Sequence, residues 1–179
     1  LSVQRTVFAI ALAACGFGST TLLRSDGMWG DFVMGLDWRW KPTSEDQLAT
    51  RTREDANGTA ATAMDAEALL KPQWPSFRGS QGNSRYRGIR LATDWDSDPP
   101  KQIWKTVVGP GWSSFAVAGD WLFTQEQRGA MECVVCYDAK DGKEIWMQQT
   151  ESRFEDPLGG PGPRATPTLA NGKLFTMGG

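Results

Sequence analysis

Two cysteines three positions apart, Cys133 and Cys136, have the types and spacing that most directly suggest chemistry. A Cys-x-x-Cys pair can bind zinc or undergo thiol–disulfide exchange. Here the pair lies in the strand-like run ECVVCYD, where residues three apart point to opposite faces. The chain has no histidine, so no Cys-His nucleophile and no histidine-containing metal site can form. We therefore predict two ordinary packing cysteines.

Three charged residues at the ends of predicted strands are candidates for a ligand site. Glu126 and Arg128 close the run QEQR, and Arg164 precedes a later strand-like run. An arginine can hold a carboxylate or a quinone oxygen, and a glutamate can ligate calcium. The alternative is that all three residues make loop hydrogen bonds and salt bridges. The acidic run DWDSD at 94–98 lacks the glycine and distal glutamate of a calcium loop, which predicts a solvated turn.

The composition argues against some classes of function. The chain has 179 residues, of which 40% are hydrophobic and 22% charged, as is ordinary for a globular protein. Its formal net charge of -2 provides no excess of positive charge, so we expect no nucleic-acid partner. Nine tryptophans and 20 glycines, with few long apolar runs, predict short strands and tight turns.

The elements that would position these residues recur along the chain. Residues 113–124 read SSFAVAGDWLFT, and residues 165–176 read ATPTLANGKLFT. Each block contains a two-residue turn, Gly-Asp in the first and Asn-Gly in the second, of the kind that closes tight hairpins. Each block is therefore predicted to be strand, turn, strand.

Further motifs repeat in the same order around these hairpins. A Gly-Pro-Gly triplet precedes each hairpin, at 109–111 and at 160–162. The string KQIW, which ends at Trp104, precedes the first triplet, and KEIW, which ends at Trp146, precedes the second. One repeat is thus a strand ending in Ile-Trp, a loop, a hairpin and a third strand such as 131–137. Four short antiparallel strands in roughly 40 to 50 residues are typical of a β-propeller blade.

The predicted fold class is all-β: a partial β-propeller of about one and a half four-stranded blades, after an N-terminal apolar helix and a linker. Such a sheet cannot bury both faces alone and becomes stable by stacking against neighbouring blades. A closed ring needs roughly four to eight blades, so we expect further blades beyond the printed sequence. The predicted organisation is a membrane helix or signal segment at 1–24, an extracytoplasmic linker at 25–71 and the truncated propeller at 72–179.

Asp138, Gly142 and Trp146 resemble the tryptophan-docking repeat of propellers related to pyrroloquinoline quinone (PQQ) enzymes. Asp138 can accept hydrogen bonds from turn amides, and Gly142 can take the left-handed conformation. Trp146 can lie across the next blade. Together with Trp104, these residues are predicted to hold blades together and to perform no chemistry.

The run WPSFRG at 74–79, followed by GNSR, resembles the entry motif of bacterial PQQ-binding-like β-propeller repeat proteins. The resemblance covers about residues 72–179 and fits two functions, because fold does not fix function. The first is a non-catalytic propeller that binds protein partners as a scaffold. The second is a quinoprotein alcohol or sugar dehydrogenase, for which the family implies PQQ and calcium as cofactors in an active site mostly outside this sequence. We favour the first, because no cofactor-site constellation and no catalytic residue is visible here.

The N-terminal segment carries an uncharged run at 6–23 between Arg5 and Arg24. Its length is just enough to cross a bilayer, and the same pattern fits a secretory signal peptide. Within it, LAAC at 12–15 resembles a bacterial lipobox, in which Cys15 would carry a lipid anchor. A buried helix of a soluble domain is the remaining interpretation. The first three interpretations place the rest of the chain outside the cytoplasm, and we predict a membrane-anchored chain that faces the periplasm or the cell exterior.

The stretch after this segment carries three tryptophans, Trp29, Trp38 and Trp40. They are predicted either to lie at the membrane–water boundary or to pack on the following domain. Residues 42–46 resemble a helix start, with a hydroxyl cap and acidic residues in the first turn. Residues 49–70 are small and polar, which predicts a linker with a short helix near its end.

Overall fold

A computed structural model describes residues 2–28, 34–55 and 66–178. Trp29 and residues 56–65 of the predicted linker lie outside the described residues. The chain divides into two compact units. One unit comprises Leu1–Thr43 with Asp156–Gly160, and the other comprises Ser44–Glu155 with Pro161–Gly179. The unit that holds the candidate site therefore begins at Ser44, within the stretch predicted as a linker.

The first unit contains a helix and a hairpin. Helix α1 spans Val3–Thr20, and its apolar side chains, among them Phe8 and Leu12, are exposed. Strands β1 (Leu23–Met28) and β2 (Met34–Trp38) pair antiparallel. The rings of Trp38 and Trp40 stack on each other with centroids 4.7 Å apart. Over the described ranges, neither α1 nor any other helix combines the length and apolarity needed to cross a bilayer.

The second unit begins with two helices. Helix α2 spans Ser44–Asp55 and has Glu45 and Asp46 in its first turn, where carboxylates interact favourably with the helix dipole. The helix start predicted at 42–46 is thereby confirmed. Leu48 is buried and anchors α2, which continues into residues predicted as linker because arginine, alanine and glutamate favour helix. Helix α3, Ala66–Leu70, is the short helix predicted at the end of that stretch.

A four-stranded antiparallel sheet forms the centre of the second unit, with its strands in sequence order. Arg128 opposite Met131 and Trp121 opposite Asp138 fix the register of its central pair. An irregularity between Cys136 and Tyr137 interrupts the register of the outer pair. The strands are β3 (Ala116–Ala118), β4 (Trp121–Arg128), β5 (Met131–Asp138) and β6 (Glu144–Glu151).

Side chains alternate between two faces of this sheet, as the strand period requires. We call one the Phe123 face; its buried residues pack with Leu169 from later in the chain. We call the other the Tyr137 face; its buried hydrophobic residues are Cys133, Val135 and Tyr137. Burial is greatest on the central strands β4 and β5, whereas β6 is largely exposed along its second half.

Short strands follow the sheet. Strands β7 (Glu155–Asp156) and β8 (Gly160–Pro161) form one two-stranded sheet, and β9 (Thr168–Ala170) and β10 (Lys173–Phe175) form another. The β3–β4 and β9–β10 hairpins are the two predicted strand-turn-strand blocks, which confirms the repeat. Their turns contain Gly119 with φ 57° and Asn171 with φ 53°, the left-handed geometry that tight hairpins need. The chain described here is thus mostly antiparallel strand after residue 110.

The strand predicted to end in Trp104 is not formed, and this prediction is wrong. Residues 101–109 adopt no regular structure, and Ile103 is 80% exposed. The reason is that no strand within the described ranges pairs with this segment, and an extended chain becomes a strand only when a partner accepts its hydrogen bonds. The equivalent string KEIW forms β6 because β5 lies beside it.

The two Gly-Pro-Gly loops meet where the repeats adjoin. A Cβ at Gly162, where φ is 99°, would collide with the carbonyl oxygen of Pro110. Beside this contact the Trp112 amide donates to the Pro163 carbonyl oxygen at 2.9 Å. The glycine is therefore required by a close approach of two backbones, and the two Gly-Pro-Gly loops pack on each other.

Candidate functional site

Two of the three candidate ligand residues lie together on the Tyr137 face. Glu126 and Arg128 are two residues apart on β4, so their side chains emerge from the same face. Arg128 Nε donates to Glu126 Oε1 at 2.6 Å. Tyr137, on β5, donates its hydroxyl to Glu126 Oε2 at 2.9 Å, and Arg128 Nη2 reaches Glu144 Oε2, on β6, at 2.8 Å. We call these four residues the Arg128 cluster.

The electrostatics of the Arg128 cluster are dominated by burial. Glu126 is only 1% exposed and Tyr137 is buried beside it. Burial alone would lower the pKa of Arg128, but the carboxylates of Glu126 and Glu144 outweigh it and raise that pKa. Burial, followed by the negative charge of Glu126, raises the pKa of Tyr137. The cluster therefore holds a permanently charged guanidinium, and a phenol that stays protonated as a hydrogen-bond donor.

The Arg128 cluster does not fit a quinone cofactor or a calcium ion. Both oxygens of Glu126 already accept hydrogen bonds, one from Arg128 and one from Tyr137. The guanidinium of Arg128 donates hydrogen bonds to Glu126, Tyr137 and Glu144. Across residues 2–28, 34–55 and 66–178, no three acidic or cysteine side chains converge as a metal site would need. These groups satisfy one another, as expected of a buried structural network.

Arg164, the third candidate, belongs to a different set of contacts. Its guanidinium carbon lies 5.0 Å from the centre of the Phe154 ring and 5.7 Å from that of the Trp112 ring, within the range of cation–π attraction. Its Nη1 donates to the Gly162 carbonyl oxygen at 2.8 Å. Arg164 thus reinforces the junction of the two Gly-Pro-Gly loops, and Trp112 remains 54% exposed there.

Three of the four predicted docking residues, Asp138, Gly142 and Trp104, meet at the turn between β5 and β6. Asp138 Oδ1 accepts a hydrogen bond from the Lys140 amide at 2.7 Å, and the Gly142 amide donates to the Asp138 carbonyl oxygen at 2.8 Å. Gly142 has a φ of 71°. The indole of Trp104 lies on this turn and donates its Nε1 hydrogen to the Ala139 carbonyl oxygen at 2.8 Å. A Cβ at Gly142 would come within 2.6 Å of Trp104 Cε3.

Trp146 occupies a different place from Trp104. It lies on β6 opposite Cys136, half-buried, with its ring 6.1 Å from that of Phe123. It packs against the cluster of the Phe123 face, to which Leu169 of β9 also belongs. The indole that covers Gly142 is therefore Trp104, whereas Trp146 contributes to the apolar layer between the two repeat sheets.

Cys133 and Cys136 point to opposite faces of the sheet, as predicted. Cys133 belongs to the Tyr137 face and Cys136 to the Phe123 face, and both are free and buried. Burial raises the pKa of Cys133 to about 11 and that of Cys136 to about 12. The prediction of two packing cysteines is confirmed.

We expect only Cys15 to react when the native chain is treated with a thiol reagent at pH 8. Cys15 is exposed, whereas the two strand thiols are buried and about a thousandth or less ionised at this pH. A thiol-counting assay should detect one cysteine in the native chain and all three in denaturant. The Cys15→Ser variant should show none before denaturation. A second reactive thiol in the native chain would contradict the burial.

Sequence reasoning missed two members of the Arg128 cluster, Tyr137 and Glu144. The strand period shows only that Tyr137 shares a face with Cys133, because the two lie an even number of positions apart, and it gives no signal for Glu144. What the period does not give is the reach of the Arg128 side chain across three strands. A surface groove of about 410 Å³ was also not predicted; it is lined partly by Trp95, Pro99 and Ile103, and by none of the candidate ligand or docking residues.

Comparison with known proteins identifies the repeat. Residues 92–178 match the protein family described as "Outer membrane protein assembly factor BamB", a family of PQQ-like repeats. The matched segment contains the four-stranded sheet and the β9–β10 hairpin. Neither the comparison with curated proteins nor that with solved structures gave a match.

Proposed function

We propose that this chain, a PQQ-like repeat protein, forms part of a β-propeller that binds other proteins as a scaffold. The family match carries this proposal, because its description names an outer membrane protein assembly factor, whose work is done on other proteins. The sheet and hairpin support the propeller, since the second repeat packs on the first through Leu169, as adjacent blades do.

The contacts of the candidate residues support a binding role over a cofactor-dependent one. Glu126 and Arg128 satisfy each other inside the sheet, and Arg164 lies over two aromatic rings. Where the two Gly-Pro-Gly loops meet, the ring of Trp112 is exposed to solvent. Exposed aromatic side chains are enriched in protein–protein interfaces, so this end of the repeats is the surface that we assign to a partner.

The proposal includes a location outside the cytoplasm, with the N-terminal segment attached to the membrane. The exposed apolar side chains of α1, such as Val7 and Ile10, support attachment to lipid or to a membrane protein. The description of the matched family as an outer-membrane assembly factor supports a position facing the periplasm or the cell exterior.

Two measurements on the full chain test this function. A photo-cross-linking residue at position 112, introduced in the native host, should link the chain to a small set of envelope proteins. Cross-links to cytoplasmic proteins alone would contradict the location.

Purified chain supplied with PQQ and calcium should show no dye-linked oxidation of alcohols or sugars. Robust PQQ-dependent turnover would contradict the scaffold role and favour a quinoprotein dehydrogenase.

A further inference from the structure

The first strands of the two repeat sheets each have one edge that their own sheet leaves unpaired. Strand β3 stands at the end of the four-stranded order, and β9 pairs only with β10 among the described strands. An unpaired edge presents a row of amide and carbonyl groups that can pair with another chain. Proteins protect such edges against pairing with another chain, and covering them with a helix or loop is one way of doing so.

One segment of the chain, residues 66–76, lies against both edges; we call it the strap. The Trp74 amide donates to the Val117 carbonyl oxygen at 3.1 Å, and the Val117 amide donates back to the Trp74 carbonyl oxygen at 2.7 Å. One residue later, the Pro75 carbonyl oxygen accepts from the Leu169 amide at 2.7 Å. The strap therefore pairs with β3 and then with β9, which belong to different sheets.

The strap also contacts both hairpin turns. A Cβ at Gly119 would lie 3.1 Å from the methyl group of Ala68, and a Cβ at Gly172 would lie 3.4 Å from Leu70. The Gly119 amide donates to Gln73 Oε1 at 2.7 Å. The equivalent turns of the two repeats therefore contact the same segment. The β3–β4 turn contacts Ala68 and Gln73, and the β9–β10 turn contacts Leu70.

The C-terminal end of the strap is fixed by Trp74. Its ring lies against Gly79, where an added Cβ would come within 2.9 Å of the indole, and Gly79 has a φ of 80°. The Trp74 ring also lies 6.4 Å from the ring of Tyr86. The motif WPSFRG therefore folds back on its own tryptophan and holds the strap in register.

We propose that the strap is a built-in cover for the pairing edges of β3 and β9, and that its displacement exposes these edges to another copy of this chain. The strap is held by few hydrogen bonds and by half-buried side chains, and segments with few buried contacts open locally at low cost. Edge-to-edge association is the expected consequence of opening. This role is independent of the partner that the exposed surface binds.

Hydrogen exchange on the full chain tests the strap. In the Trp74→Ala variant, the amides of Val117 and Leu169 should exchange at least about ten-fold faster than in the unchanged chain, and by similar factors. The amide of Val135, at the centre of β5, should keep its rate. Light scattering should show dimers and larger species that increase with concentration. A synthetic peptide of residues 66–79, added in excess, should reverse both effects.

Two further variants make the test decisive. Phe77 is 63% exposed beside the strap, so Phe77→Ala should change neither the amide exchange rates nor the molecular mass measured by light scattering. If Trp74→Ala also raises the exchange rate of the Val135 amide, the milder variant Gln73→Ala serves as the test, because it removes only the side-chain acceptor of the Gly119 amide. A several-fold rise at Gly119, Val117 and Leu169 together supports a strap that opens as a unit. A faster exchange rate at Gly119 alone would overturn the proposal. So would a chain that stays monomeric although Val117 and Leu169, on the edges of β3 and β9, exchange faster.

Discussion

Replacing Arg128 with methionine is expected to lower the free energy of unfolding by about 3 to 5 kcal/mol. Methionine keeps the apolar volume of the side chain but removes the charge, which leaves the Glu126 carboxylate without its cation at 1% exposure. A buried unpaired charge is among the costliest defects that a single substitution can create. Urea denaturation followed by tryptophan fluorescence measures the loss.

Two companion variants separate this cause from a general loss of packing. Glu144 is the other carboxylate that contacts Arg128, but its side chain is 37% exposed, so Glu144→Gln should cost less than about 1 kcal/mol. The double variant Arg128→Met with Glu126→Gln should recover much of the stability, because the uncompensated charge is gone. Equal losses for Arg128→Met and Glu144→Gln would show that the buried pair is not what stabilises this face.

Local sequence signals predicted the hairpins and the two faces of the sheet. Gly-Asp and Asn-Gly turns between alternating strands determine chain reversal within a few residues, and no distant contact is needed. The same locality placed Cys133 and Cys136 on opposite faces, because side-chain direction follows from strand period alone. Such features are fixed by neighbours in the chain, so reading them from one sequence is sound.

Features that depend on distant segments were not predictable in this way. Glu126 and Arg128 were both named as candidates for a ligand site, but the buried network that they form also requires Tyr137 and Glu144 from two other strands. The strings KQIW and KEIW look alike, yet only the second has a neighbouring strand to pair with. The strap was invisible because its hydrogen bonds connect Trp74 with Val117, far along the chain.

The second large effect is expected at the turn between β5 and β6: Trp104→Ala should lower the free energy of unfolding by about 3 kcal/mol. The substitution removes an indole that covers Gly142 and donates a hydrogen bond to the Ala139 carbonyl oxygen. Trp104 is half-buried, so the loss should fall at the lower end of the range for tryptophan truncation. Urea denaturation measures it, and an unchanged unfolding midpoint would contradict the docking role of this indole.

A double-mutant cycle with Gly142 then separates packing from backbone strain. Gly142→Ala alone should be destabilising twice over, because φ is 71° and the new Cβ would approach Trp104 Cε3 to 2.6 Å. Once Trp104→Ala has removed the ring, the same substitution should cost only the left-handed backbone term of about 1 to 2 kcal/mol. The two losses should therefore fall short of additivity, as contacting residues do. Strict additivity would mean that the indole and the turn stabilise the sheet independently, and that the resemblance of this turn to a docking motif has no energetic content.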